Sequence, residues 1–240
     1  MNVDPQTLAA SLRRLAGSSD GQDVLSALRG SVEACVDLFG VSGSGLMVAD
    51  EQNVLRYLIS TDGPGRILEV VETEAGEGPC VDAFINNRVV TSDDLATETR
   101  WAAITPTVLR HGVRSVLGVP VHLGGVPVGS LDVYLDRAHV WDDSERQALL
   151  RYREVVETIL SAALTARHAG ELAQQLQYAL DYRVVIERGV GYLMARDGVD
   201  AVRAFDRLRR AARANRLKIG DVAQQVLDTG ALPGDAGPRP

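Results

Sequence analysis

Hydrophobic residues recur along the chain with two different spacings, and each spacing predicts one kind of element. Over 4–17 and 20–40, apolar residues return every three to four positions, which predicts two amphipathic helices. Asp4 and Asp20 stand where N-terminal caps are expected, and Gly40 stands where the second helix is expected to stop. Two helices are therefore predicted to precede the first strand.

Alternation with a period of two follows and predicts strands over 44–50 and 54–61. Further on, "RSVLGVPVHL" (114–123) and "VPVGSLDVYL" (126–135) flank Gly124–Gly125, a pair typical of a tight hairpin turn. The intervening stretches predict a helix over 66–76, a glycine-rich turn and short helix over 76–87, a short strand over 88–94, and a helix over 100–112 that breaks before Pro106. Helices at both ends of a meandering sheet predict an α+β sandwich.

A long helix is predicted after the sheet, because 141–180 contains no proline. Its caps are offered by Asp142, Asp143 and Ser144, the last with Gln147 in capping-box spacing. Apolar residues at intervals of three and four form a stripe along it: Leu149, Tyr152, Val156, Ile159, Ala163, Leu172, Leu176 and Ala179. The stripe is interpreted either as a seam with a partner chain or as a face that lies on the sheet, and both can hold for its first half.

Charge is distributed unevenly. The chain carries 25 Lys+Arg against 32 Asp+Glu, whereas residues 171–240 carry 11 against 9. Within them, 203–218 gathers six arginines and a lysine against one aspartate. Such asymmetry between parts of one chain indicates two modules with different roles.

The candidate chemistry of the first module is sparse. Cys35 and Cys80 are too few for a disulfide scaffold, and the chain shows no signal peptide or membrane-spanning pattern, so a reduced cytoplasm is expected. Cys80 is either a low-pKa thiol at a helix N-terminus or a small buried core residue. Tyr57, Asp82 and Trp101 can line a pocket. Since no spacing matches a metal site or a catalytic arrangement, neither metal nor enzymatic activity is predicted.

The second module is predicted to hold three helices. The first, over 172–194, follows Gly170, which can end or hinge the preceding helix, and Arg183 falls in the middle of its apolar stripe. Arg183 either pairs with Glu187 or reaches a ligand phosphate. The second helix, over 201–214, is expected to bury Ala201, Phe205, Leu208 and Ala212 and to expose Arg203, Arg207 and Arg210, with Arg209 and Arg213 on the flank.

We expect no acidic residue to relieve this arginine stripe, which suggests an anionic partner; a solvated face is the alternative, because arginine supplies all but one of the basic residues of the chain. Arg216 and Lys218 continue the basic run, and a short third helix is predicted over 218–230. The Pro/Gly-rich tail is predicted to be disordered.

The first module resembles the GAF sensory domain. The resemblance lies in "GEGPCVDAF", in the strand "RVVTSDDL" and in the hairpin "VRSVLGVPVHLGGVPVGSLDVY". It implies an unidentified small ligand between the sheet and the helices, or else a module for dimerisation or signalling.

The second module resembles the ANTAR domain, through "LQYALDYRVVIERGVGYLMAR" and "AFDRLRRAARANRLKIGDVAQQVL". Gly189 departs from the family, which usually has alanine there. Together the two modules resemble the GAF–ANTAR regulators common in actinobacteria. The resemblance implies a homodimer that binds paired RNA stem-loops in a leader transcript. The residues predicted to contact the RNA are the basic residues of this module, namely Arg183, Arg203, Arg207, Arg209, Arg210, Arg213, Arg216 and Lys218.

The predicted organisation comprises an N-terminal helix (1–19), a GAF-like sensor domain (20–165), an ANTAR domain (166–230), a coiled-coil-like linker shared between them (144–180) and a tail (231–240). The predicted function is RNA-binding transcription antitermination under control of a signal. A DNA-binding regulator with the same sensor and a protein-interaction module remain alternatives.

Overall fold

The computed structural model of the chain describes residues 3–18, 23–50, 53–165, 170–215 and 217–233. The chain divides into two compact units, the first comprising residues 1–48 and 55–174 and the second residues 49–54 and 175–240. The first unit contains α1 (Pro5–Ser18), α2 (Val24–Phe39), β1 (Gly43–Ala49), β2 (Leu55–Ser60), α3 (Gly63–Ala75), α4 (Pro79–Asn86), β3 (Val90–Ser92), α5 (Thr105–Arg110), β4 (Ser115–Leu123), β5 (Val126–Leu135) and α6 (Asp143–Thr165). The division falls within α7 (Gly170–Asp197), which is followed by α8 (Ala201–Asn215) and α9 (Ile219–Thr229).

A five-stranded antiparallel sheet in the order β2-β1-β5-β4-β3 forms the centre of the first unit. β4 and β5 pair along their length, and Gly124 and Gly125, at φ 58° and 82°, make the turn between them, as the sequence predicts. Nearly every residue of both strands is buried, because α2 and α6 pack on one face and α3 and α4 on the other. The predicted α+β sandwich is confirmed.

Three details of the predicted elements are corrected. Asp23, not Asp20, caps α2, since its carboxylate accepts from the backbone N–H of Ser26; Asp20 lies outside the described residues. Pro106 lies in the first turn of α5 instead of breaking a longer helix, because its missing N–H is tolerated only there. Separately, α6 has its capping box at Asp142 and Glu145, each accepting from the backbone N–H of the other, and not at Ser144 and Gln147.

The apolar stripe of α6 is buried within its own chain. Leu149, Tyr152, Val156 and Ala163 of the predicted stripe are buried, whereas Ile159 is only partly buried and Leu160, beside it, is buried instead; α6 packs against α1, α2 and β4. The interpretation as a face on the sheet therefore holds for this half of the predicted helix, and these side chains are not free to form a seam. Leu172, Leu176 and Ala179 have side chains outside those described.

The second unit packs α7, α8 and α9 around a small apolar core. Its buried side chains are Ile186, Val190, Leu193, Ala204, Phe205, Leu208, Ala212, Ile219, Val222, Ala223 and Val226. Ala201, expected on the buried face, is exposed, and Ala204 takes that place. Packing explains the glycine at position 189. A Cβ there would lie 2.9 Å from the Cβ of Ala223, because α9 approaches the α7 backbone closely at this point. In the parts of the chain that the structure describes, no helix is long and apolar enough to cross a membrane.

Candidate functional site

The basic surface of α8 presents its arginines unequally. The side chains of Arg203 and Arg210 are 78% and 72% exposed, whereas those of Arg207 and Arg209 are 40% and 30% exposed. Arg203 and Arg210 are seven residues apart and share one side of the helix, opposite the buried Ala204 and Leu208. Two guanidinium groups on this surface are thus freely accessible to a large anion.

The expectation that these arginines lack acidic partners is wrong. Arg207 pairs with Asp197 at the end of α7. The Asp197 carboxylate also pairs with Arg196, whose Nε lies 2.6 Å from Asp197 Oδ1. Arg203 lies 4.0 Å from the Asp200 carboxylate, which also accepts from the backbone N–H of Arg203 at the start of α8.

Asp206 serves two arginines of its own helix. Its oxygens lie 2.7 Å from Arg209 and 3.0 Å from Arg210, at spacings of three and four residues. Positive charge nevertheless remains in excess, because 197–218 holds seven basic residues and only three aspartates. The surface is a basic patch with internal ion pairs, not a bare stripe.

The other predicted RNA contacts divide in two groups. Lys218 is partly buried as the residue before α9, where its backbone adopts the extended conformation of an N-cap. Arg216 and the side chains of Arg183 and Arg213 lie outside the described residues. Glu187, the predicted partner of Arg183, is exposed, so it does not lie in the apolar stripe of α7.

Two of the predicted pocket residues meet in the first unit. The indole N–H of the buried Trp101 donates to the Asp82 carboxylate at 2.9 Å, and the Arg100 guanidinium lies 4.2 Å above the indole ring. Burial raises the pKa of Asp82, and the hydrogen bond from Trp101 opposes that shift. The pair joins α4 to the segment before α5.

Cys80 lies at the start of α4 as predicted but is fully buried. Burial raises its pKa well above the ordinary value, and the neighbouring carboxylates of Asp132 and Glu72 raise it further. The structure therefore favours the interpretation of Cys80 as a core residue. Tyr57 lies on β2, at the sheet edge opposite β3, where its ring is partly exposed beneath the Arg66 guanidinium.

A cluster that sequence reasoning missed lies between α3 and the sheet. Glu69, Glu72 and Asp132 are all buried, and Asp132 stands in the central strand β5. Burial raises the pKa of both glutamates well above their usual range and that of Asp132 to about 7. A carboxylate in the middle of an otherwise apolar strand was the available signal. We name Glu69, Glu72 and Asp132 the buried acidic cluster.

Among the described side chains, no group of three or more His, Cys, Asp or Glu residues is arranged to hold a metal ion. Glu72 is partly satisfied, since its Oε2 accepts from the backbone N–H groups of Cys80 and Val81, both at 3.0 Å.

Comparison with known proteins identifies both units. The family model of the GAF domain matches residues 23–160, and that of the ANTAR domain matches residues 174–227. No curated protein matches the chain.

Solved structures with a similar fold include the GAF domain of a phosphoenolpyruvate-protein phosphotransferase from Coxiella burnetii, at 13% identity and a TM-score of 0.53, covering 67% of this chain and 96% of that one. The GAF domain of an Acinetobacter phosphoenolpyruvate-protein phosphotransferase has 16% identity and a TM-score of 0.52, covering 66% of this chain and 95% of that one. fRMsr of Staphylococcus aureus, in its reduced form, has 17% identity and a TM-score of 0.52, covering 66% of this chain and 98% of that one.

At such identities the likeness concerns the fold alone, and it extends over the first unit. The family matches cover both units and agree with their separate architectures. Since the GAF match spans more than half of its residues, the chain belongs to the GAF domain family, and it carries an ANTAR domain at 174–227.

Proposed function

We propose that the chain is an RNA-binding regulator of transcription antitermination, of the GAF–ANTAR type found in actinobacteria. The first unit senses a signal, and the second binds stem-loop RNA in a leader transcript and prevents a terminator from forming. The chain acts as a homodimer, and Leu149, Tyr152 and Val156 of α6 lie outside its seam, because they are buried in their own chain. We assign it no catalytic activity.

The observation that supports this proposal is the coincidence of the ANTAR match with the exposed arginines of α8. Arginine offers a planar fork that fits a phosphate and a face that stacks on an unpaired base. Arg203 and Arg210 are placed to provide both.

The ion pairs of α8 do not oppose phosphate binding. Pairs between exposed charges contribute about 0–1 kcal/mol and are readily exchanged. The Asp200–Arg203 pair, at 4.0 Å, is at the outer limit of such a contact, and Asp206 is shared by two guanidinium groups. RNA phosphates can therefore replace these carboxylates at small cost, whereas the more enclosed Arg207–Asp197 pair is expected to persist in the complex.

The test measures binding of the full chain to a pool of RNA hairpins with a common stem and randomised loops, and to duplex DNA of the same stem sequence. We expect Arg203→Glu with Arg210→Glu to weaken hairpin binding by at least about a hundredfold, since each lost charged contact is worth roughly 1.5–3 kcal/mol. The dependence of log affinity on log salt should flatten by about 1 to 2.

Arg13→Glu with Arg29→Glu is the matched control, because it makes the same charge change at exposed positions of α1 and α2. Readthrough of a terminator placed after a selected hairpin should follow binding across these variants. Equal binding by the α8 variant, or a preference for duplex DNA, would reject the RNA-binding proposal.

A further inference from the structure

α3 is turned with its acidic side toward the interior. Glu69 and Glu72 are completely buried, whereas Val70, between them, is 39% exposed. An amphipathic helix ordinarily buries its valines and exposes its glutamates, since burying an ionised carboxylate without a partner is costly. The orientation of α3 therefore needs a reason other than apolar burial.

The sheet beneath α3 leaves room for these carboxylates. Asp132 stands opposite Gly45 of β1 on one side and Gly118 of β4 on the other, so neither neighbour across the sheet has a side chain. A Cβ at Gly45 would lie 2.0 Å from Glu69 Oε1 and 3.1 Å from Asp132 Oδ1. The carboxylates of Glu69 and Asp132 thus converge above the same glycine.

The cluster is incompletely satisfied. Glu72 Oε2 is held by the N-terminus of α4, but both oxygens of Glu69 and both of Asp132 have no hydrogen-bond partner in the described structure. The Cys80 thiol, a weak donor, lies near enough to Glu72 and Asp132 to lower the pKa of both, but burial raises both pKa values by more.

A neutral polar group in the same strand is also unsatisfied. Ser130, two residues before Asp132 and on the same face of β5, is fully buried, and its hydroxyl has no partner. Buried polar groups in native proteins are almost always hydrogen-bonded. A hydroxyl and four carboxylate oxygens left open on one side of the sheet indicate that a component is missing.

A component that satisfies these groups in their ionised form is cationic and rich in hydrogen-bond donors. No Lys, Arg or His among the described residues pairs with Glu69, Glu72 or Asp132. A primary ammonium carries one positive charge and three donors, enough to reach the open oxygens of Glu69 and Asp132 and the second oxygen of Glu72. We propose that the buried acidic cluster is the binding site for the primary ammonium group of a small organic amine.

This inference rests on the proposed function in one respect, because it makes that amine the signal received by the first unit. Since all three carboxyl groups are shielded from solvent, an amine reaches them only when the packing around them opens. Protons compete with it for Glu69, Glu72 and Asp132, with Asp62, Cys80 and Tyr134 as the other titratable groups close by. The affinity for an amine should therefore increase with pH.

The test titrates the full chain with methyl-, ethyl-, propyl- and butylammonium chloride at constant ionic strength. Tryptophan fluorescence follows binding, because Trp101 belongs to the same buried core as Leu68 of α3, and calorimetry provides the affinity. We expect saturable binding of at least one primary ammonium, with affinity rising several-fold between about pH 6 and about pH 8. Tetramethylammonium, sodium and magnesium chlorides, which lack N–H donors, should give no saturable signal.

Glu69→Gln and Asp132→Asn should each weaken amine binding at least tenfold, whereas Glu74→Gln, an exposed glutamate of the same helix, should change it by less than twofold. Absence of saturation with every primary ammonium, equal binding of tetramethylammonium, or unchanged affinity in both cluster variants would overturn the proposal. If the cluster variants do not fold, the proposal is tested by the wild-type chain alone, and an affinity for the primary ammonium that does not rise with pH would contradict it. The assay contains no RNA, so its failure and that of the RNA-binding proposal are observed separately.

Discussion

The two units place their charged side chains in opposite ways. The first buries the carboxyl groups of Glu69 and Asp132, whose oxygens have no partner among the described residues, and the second exposes arginines that do have carboxylate partners. A carboxyl group in the interior resists ionisation unless a cation or a donor binds it, because no water solvates its charge. A paired charge at the surface is nearly neutral in energy and can exchange its partner. The buried carboxyl groups of the first unit suit a site that binds a cation, and the exposed arginines of the second suit a surface that binds a polyanion.

The largest expected effect concerns pH and the interior carboxylates. Asp132 has its pKa raised from 3.8 to about 7 by burial, so the folded chain holds this proton more tightly than the unfolded chain. The resulting stabilisation is complete below about pH 4 and is lost as pH rises through about 7, at up to ~1.4 kcal/mol per pH unit. We expect the free energy of unfolding, from urea denaturation, to fall by a few kcal/mol between about pH 5 and about pH 8.

Asp132→Asn should remove a large part of that slope, and Glu74→Gln should leave it unchanged. Lowered pKa values elsewhere do not mask the effect. Glu98 and Asp142 have their pKa values lowered to about 2 from 4.5 and 3.8, so their contributions are complete throughout the range tested and change only below it. A stability that rises with pH in this window would mean that the interior cluster is stabilised as carboxylates by its own protein.

The second prediction tests the close approach above the sheet. Gly45→Ala should destabilise the chain by roughly 1–3 kcal/mol, because its Cβ would overlap Glu69 Oε1. Adding Glu69→Ala should recover much of the loss, and the coupling in a double-mutant cycle measures the contact. Gly63→Ala is the control, since nothing lies within 4 Å of a Cβ there. Strict additivity of the two changes would show that the carboxylate does not occupy this space.

A smaller effect is expected at the ion pair between α7 and α8. Arg207→Ala and Asp197→Asn should each lower the local stability of α8 by about 1 kcal/mol or less, because both side chains are partly exposed. Arg196 first and Arg207 second lower the pKa of Asp197, so this contribution is present near neutral pH and lost as pH falls through that lowered pKa. Hydrogen exchange of α8 peptides, followed by mass spectrometry, reports the change; full additivity in the double variant would show that the pair has no structural role.

The smallest expected effect on stability is at Arg203. Arg203→Ala should alter hydrogen exchange in α8 by less than about 0.5 kcal/mol, since its guanidinium is 78% exposed. Its effect on hairpin affinity should be larger, about tenfold or more. Faster exchange together with unchanged RNA affinity would reverse the roles that we give to Arg203 and Arg207.

Elements with strong local signals could be predicted from the sequence. The hairpin of β4 and β5 follows from two β-rich runs around Gly124–Gly125. The order of helices and strands follows from the spacing of hydrophobic residues along the chain. The Asp206 pairs could also have been found, because Arg209 and Arg210 are three and four residues further along one helix. The Arg207–Asp197 pair could not, since it depends on how the chain turns between α7 and α8.

The buried acidic cluster was beyond local reasoning for a different reason. Both sides of α3 carry apolar residues, so its sequence does not say whether Val70 or Glu69 faces the sheet. The packing of the whole unit decides, and it puts Glu69 inside. Asp132 is a local signal, as a carboxylate in an otherwise apolar strand, but the space that Gly45 and Gly118 leave beside it is known only from the strand register.

The attachment of α1 has a practical consequence for truncated reagents. Ser11 Oγ and the Tyr152 hydroxyl are 2.6 Å apart beneath α1, and the same hydroxyl donates to the carbonyl of Ala34. A fragment cut at residue 23, where the GAF match begins, would lose α1, strip one partner from Tyr152 and open the apolar side of α2 and α6 to water. Isolated sensor fragments should therefore retain α1 if they are to remain monodisperse at the concentrations that calorimetry needs.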